Sequence, residues 1–169
     1  MSTDEGTDLE VRAERVLPVP ARAAYAAWTE QAQVRGWWGP AGFSCPVAEM
    51  DVRVGGVSLV AMRAPAEYGG GDLYNTWTYT RVVPGDRLEY ELRFSTPTGE
   101  PIAPADAGIP DGVPAVVPHV VTFEDLDSGH SRATVVESGY TDAQARDTSQ
   151  AGLEQCLDKL ERLLSAGRA

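Results

Sequence analysis

The sequence predicts an α+β fold, a curved antiparallel sheet of about six or seven strands around a long C-terminal helix, with two short helices after the first strand. Three observations predict it. From Leu9 to Ser138, short segments of alternating apolar character recur between glycine, proline and aspartate turns. Most of these turns are too short for parallel neighbours, which need crossovers of a dozen residues or more. From about Asp142 the period changes, and apolar residues recur at three- and four-residue steps to Ala166.

Leu9 to Leu17 reads as the first strand, with Leu9, Val11, Ala13 and Arg15 alternating against Glu10, Arg12, Glu14 and Val16. Pro18 and Pro20 end it. Short helices are expected over Ala21 to Trp28 and Glu30 to Trp37, before Gly39-Pro40 breaks the second. Strands follow over Phe43 to Val52, Val57 to Arg63 and Leu73 to Val83. Pro84-Gly85-Asp86 turns the chain into Arg87 to Ser95, which places Leu88, Tyr90, Leu92 and Phe94 on one face. Pro118 to Glu124 places His119, Val121 and Phe123 on one face, and Asp127-Ser128-Gly129 leads into Arg132 to Ser138. Thr141 or Asp142 caps the final helix, and Gly167 stands where it should stop.

The 169 residues suit one domain, expected over 9–166 after a flexible tail at 1–8. Net charge is −11, with 25 acids against 14 bases, and Lys159 is the single lysine. That field repels phosphate backbones and anionic headgroups, so no nucleic-acid partner is expected. No apolar run reaches the length of a membrane span. The polar, acidic start lacks the pattern of a signal peptide, so a cytoplasmic location is expected. Cys45 and Cys156 belong to no metal-binding or redox motif, and both are expected to be buried free thiols.

The last helix points to a cavity, with a loosely packed helix start or a kink at Gly152 as the alternative. Its C-terminal half carries Leu153, Cys156, Leu157, Leu160, Leu163 and Leu164. The same stripe continues toward the N-terminus through Gly152, Ser149, Arg146 and Ala145, three of which are small. The leucine half should plug the sheet and the small half should leave space. Glycine inside a helix costs about 1 kcal/mol relative to alanine, so Gly152 invites a reason. Candidate ligand-binding residues on the helix are Ala145, Ser149, Gly152 and Leu153. On the opposite wall they are Tyr90, Phe94, His119 and Phe123, with Tyr74 favoured inside although it alternates against Trp77 and Tyr79. Trp38 and Phe43 bracket a Gly-Pro turn and could rim the opening. The connection from Thr96 to Pro118, with six prolines, is long enough to act as a lid, with Ile102, Ile109 and Val113 as its apolar contacts. A passive surface loop is the alternative.

No nucleophile elbow, zinc motif, phosphate loop or dinucleotide fingerprint is present. No cofactor, metal or catalytic residue is assigned. Arg63, Tyr90, His119 and Glu137 are the residues from which an acid/base set could be drawn, and nothing in their spacing demands one.

Three segments are specific enough to name a family. Ala27-Trp28-Thr29, Gly36-Trp37-Trp38-Gly39-Pro40 and Asp51-Val52-Arg53-Val54-Gly55-Gly56 resemble the START-like (SRPBCC) superfamily. Within it, the chain looks like bacterial relatives of the activator of heat-shock-protein ATPase. The segments from Asp72 to Tyr79, Val117 to Phe123 and Ala151 to Leu160 are similar to the YndB-like subgroup. Arg81 stands where that pattern often has an acid. The resemblance implies a helix-grip fold with a deep cavity between sheet and helix. It implies an apolar or aromatic ligand of lipid, polyketide or flavonoid type, and it carries over no catalytic residues. Binding of a small apolar ligand is therefore the expected function. A cyclase or dehydratase acting on a polyketide-like substrate, and a chaperone-interacting module, are the alternatives. A chaperone or a second copy of the chain would be the protein partner.

Overall fold

The computed structural model describes residues 9–166. The expected tail at 1–8 and the expected stop at Gly167 lie outside the described residues. The elements run β1 (Leu9–Leu17), α1 (Ala21–Thr29), α2 (Gln31–Trp37), β2 (Ser44–Glu49), β3 (Val57–Arg63), β4 (Asp72–Val83), β5 (Arg87–Ser95), β6 (Val116–Asp125), β7 (Ser131–Tyr140) and α3 (Ala143–Ala166). All seven strands join one sheet in the order β1-β7-β6-β5-β4-β3-β2, and every neighbouring pair is antiparallel. This is an α+β helix-grip architecture.

Period-two alternation decides what each strand buries. On β5, Leu88, Tyr90, Leu92 and Phe94 point inward and are all buried. Cross-strand register extends that face sideways, pairing Tyr90 with His119 on β6 and Tyr79 on β4. The helices close the inner face. Trp28 of α1 packs edge-on against Trp37 of α2, whose Nε1 donates to the Ala27 carbonyl at 2.9 Å. Pro20 offers α1 no side-chain cap, and Asp125 of β6 supplies one by accepting from the Ala21 N–H at 2.7 Å. That contact ties the first helix to the sheet end it covers.

α3 lies along β1. Arg15 shares the inward face of that strand with Val11 and Ala13, and its guanidinium meets Glu154, Asp158 and Glu161 at 3.2, 2.9 and 3.1 Å. Leu153, Cys156, Leu157, Leu160 and Leu164 bury the C-terminal part of the helix, as its leucine spacing predicts. Strand limits differ from the sequence reading at β2, β4, β6 and β7, the last running on to Tyr140 instead of ending at Ser138. β2 stops at Glu49, because Gly56 N–H bonds the Arg53 carbonyl at 2.7 Å and turns the chain early. β6 starts before Pro118. Pro118 is tolerated there because the pairing of β6 with β7 begins only at His119, so its missing N–H costs that ladder nothing.

Candidate functional site

The apolar seam of α3 is interrupted. Between Ala145 and Leu153 no residue of the helix is buried, and the seam positions there are Ser149 and Gly152. A side-chain carbon added at Gly152 would meet nothing closer than Pro40 Cγ at 3.9 Å. The sheet does not rise to fill the gap, and a cavity of about 250 Å³ remains between them. Its walls are Leu92 and Phe94 on β5, Leu73 and Asn75 on β4, Met62 on β3, and Trp38 and Pro40 after α2.

The proline-rich connection forms part of the enclosure through Ile109, Pro110 and Val113. It is pinned at both ends. Ile102 N–H donates to the Phe94 carbonyl at 2.9 Å, and Thr141 N–H donates to Gly112 at 2.9 Å. Gly112 has a φ of 101°, and a Cβ there would fall 2.4 Å from that of Asp142. Only glycine lets the connection press so closely on the start of α3.

The polar groups gather mainly on one side. Tyr140 Oη donates to Glu137 Oε1 at 2.8 Å, and His119 Nε2 faces Glu137 Oε2 at 3.3 Å. His119 Nδ1 lies 3.0 Å from the Val117 carbonyl, so both ring nitrogens face acceptors. Ser149 of α3 lines the same cavity as Tyr140 and Glu137. Burial pushes the Glu137 carboxyl up, but the facing His119 and the hydrogen bonds from His119 and Tyr140 outweigh it and hold it below its ordinary value. Burial raises the Tyr140 phenol. Asn75 supplies a polar group across the cavity, its Oδ1 accepting from Trp77 Nε1 at 2.9 Å.

Of the eleven candidate ligand-binding residues, seven line this cavity: Trp38, Phe94, His119, Ala145, Ser149, Gly152 and Leu153. Four do not. Tyr74 alternates against Trp77 and Tyr79, which are buried inward, so it faces outward into a wider surface groove beside the Arg63–Asp72 ion pair. Tyr90 faces inward but is stacked between Trp77 and His119, each at 4.8 Å, beneath the cavity. Phe123 is covered by α1, edge-on to Tyr25 and Trp28. Phe43 is half-buried in the loop before β2, where its carbonyl accepts from Lys159 Nζ at 2.9 Å. Arg146 also leaves the seam, pairing with Asp147 and reaching the Glu10 carbonyl. Arg63, on the outer face, cannot join an acid/base set with His119.

Sequence reasoning missed Tyr140, Asn75, Met62, Pro40 and Cys156 as lining residues. Cys156 was legible as a member of the helix stripe, and Leu92 as a member of the β5 face. Tyr140 was not, because its position depends on an irregularity in β7. Asn75 follows from alternation once Trp77 is known to point inward.

Comparison with known proteins places this geometry. A protein from Chromobacterium violaceum of known structure is 30% identical, with a TM-score of 0.74 over 92% of this chain and 96% of that one. The AHSA1 protein from Silicibacter pomeroyi shares the fold at 19% identity, with a TM-score of 0.74 over 94% of this chain and 99% of that one. The AHSA1-like protein from Aeromonas hydrophila does so at 19% identity, with a TM-score of 0.69 over 94% of each chain. No curated protein matches the chain. Among the described residues no helix is long and apolar enough to cross a membrane. Residues 18–165 match the family model for Activator of Hsp90 ATPase homolog 1-like proteins, and the chain belongs to that family.

Proposed function

We propose that this chain, folded as one domain over 9–166, binds a small apolar or aromatic molecule between the sheet and the N-terminal half of α3. Carriage, sensing or sequestration in the cytoplasm is the role this reading gives it. One observation carries it: the helix that plugs the sheet with leucines changes to Ser149 and Gly152 where the sheet presents Leu92 and Phe94. Packed interiors rarely leave voids larger than a water, so a space of about 250 Å³ lined largely by apolar side chains is a feature to explain. Small-molecule sites are concave and mostly apolar, with a few placed polar groups, and run from roughly 300 Å³ upward. This cavity lies just below that range, which favours a ligand of one or two fused rings over a long acyl chain.

A thermal-shift panel tests the reading. Ring-sized aromatics at about one hundred times their Kd should stabilise by about 2.7 kcal/mol, raising Tm by about 5–10 °C. Long-chain fatty acids should do less. Absence of any shift with every ring-sized compound would count against it.

Family membership supports a second reading, a module that contacts a chaperone. The net charge of −11 would steer it toward a basic surface. An unchanged Hsp90 ATPase rate in its presence, with no complex on native mass analysis, would remove that reading. An acid/base enzyme is less favoured, because Val117 and Glu137 occupy both nitrogens of His119.

A further inference from the structure

The polar side of the cavity has a definite hydrogen-bonding sense. Tyr140 donates to one Glu137 oxygen at 2.8 Å, and His119 faces the other at 3.3 Å. Each carboxylate oxygen therefore has one protein partner. An ionised carboxylate offers about four acceptor sites and no donor, so Glu137 retains acceptor capacity. Its side chain keeps 11% of its surface exposed, and Glu137 is part of the cavity wall.

We propose that the cavity selects a small neutral molecule bearing a hydroxyl group, in its simplest form a phenol of one or two fused rings, whose O–H donates to Glu137. This inference rests on the cavity being the ligand site. A carboxylate can be approached only by a donor, which excludes ethers and ketones as its partner. An anion would meet Glu137 itself and a chain of net charge −11. A cation would have to shed its water in apolar surroundings where Glu137 already faces the His119 ring, and for a buried pair that desolvation can exceed the Coulombic gain. A neutral hydroxyl avoids both penalties. Size agrees: a volume of about 250 Å³ equals the liquid share of about eight waters. Trp38 and Phe94 bring aromatic side chains to the cavity wall, and an O–H bond to Glu137 would set which way the ligand's polar edge points.

The test is a titration of the full chain with 2-naphthol, 2-methoxynaphthalene and 2-naphthoate, repeated on Glu137→Gln. The methyl ether keeps the rings and the oxygen but cannot donate. Wild-type protein should bind 2-naphthol about tenfold or more tightly than the ether, the usual advantage of a hydrogen bond to a charged group. Naphthoate should bind weakest. In Glu137→Gln the preference for naphthol should shrink to about fivefold or less, while binding of the ether changes little. The ether comparison on wild-type protein stands even if the variant folds poorly. Equal binding of naphthol and ether would overturn the inference and leave the cavity reading intact. So would a preference that survives in Glu137→Gln, or tighter binding of naphthoate. Binding of none of the three would overturn both.

Discussion

Tyr140 and Glu137 lie three residues apart on β7, yet both face the cavity, with the Tyr140 phenol donating to the Glu137 carboxylate at 2.8 Å. In a regular strand residues i and i+3 point to opposite faces. The register explains the exception. Val11 pairs with Glu137 and Leu9 with Tyr140, so β7 spends three residues where β1 spends two. The extra residue is a β-bulge, and Gly139 inside it has a φ of 92°. A Cβ at Gly139 would also press on Pro114 Cγ at 3.2 Å.

Gly139→Ala is therefore expected to destabilise the protein by about 1–2 kcal/mol through the left-handed backbone alone, and to disturb the Tyr140–Glu137 contact. Chemical denaturation and the NMR shifts of Tyr140 check the two effects. A variant as stable as wild type, with Tyr140 unmoved, would contradict the bulge.

The pH dependence of stability should carry the signature of Glu137. Its carboxyl is held below the ordinary value of 4.5 in the folded protein. Stability from a depressed carboxyl is present above the unfolded value and is lost as pH falls through the folded one. Glu137→Gln should cost about 1–3 kcal/mol at pH 7, and the difference from wild type should narrow as pH drops below 4.5. Denaturation curves from pH 7 to pH 3 measure it. A difference independent of pH would contradict the assignment.

Lys159 holds the loop that carries the cavity wall. Its ammonium donates to the carbonyls of Gly39, Pro40 and Phe43 at 2.9, 3.4 and 2.9 Å. Lys159→Met keeps most of the stem and removes all three bonds. Loss of about 1–3 kcal/mol and faster amide exchange in the 39–43 loop are expected, with weaker ligand binding as a consequence. Unchanged exchange there would show that the loop is held by packing alone.

Both thiols should be unreactive in the native state. Burial pushes Cys45 and Cys156 up to about 11 each, so little thiolate exists near neutrality. A disulfide reagent at pH 8 should modify them about two orders of magnitude more slowly than a free thiol, and denaturant should release both. Rapid native labelling of Cys156 would mean that the cavity opens more readily than the pinned connection suggests.

The fold was legible because its signals are local and periodic. Alternation on β5 and the leucine steps of α3 each identify an element and its buried face. The helix wall of the site was legible for the same reason, since Ala145, Ser149, Gly152 and Leu153 lie on one seam. The sheet wall was harder. Aromatic residues that alternate correctly fall either beneath the cavity, as Tyr90 does, or under another helix, as Phe123 does. Position along the strand decides which, and alternation carries no such information. Tyr74 shows that alternation settles a face only once one residue of the strand is placed; the fully buried Trp77 places it. Tyr140 could not be read at all from period two, because the bulge at Gly139 resets the count.

The most direct measurement is the titration of a small neutral aromatic such as 2-naphthol against wild type, Gly152→Ala and Gly152→Leu. The alanine methyl has ordinary contact room beside Pro40, so Gly152→Ala should bind much as wild type does. The leucine side chain should occupy the cavity, leaving the circular-dichroism spectrum unchanged while affinity falls by about a hundredfold, the cost of losing an apolar site for the ring. Unchanged affinity in Gly152→Leu would place the ligand elsewhere and contradict the account.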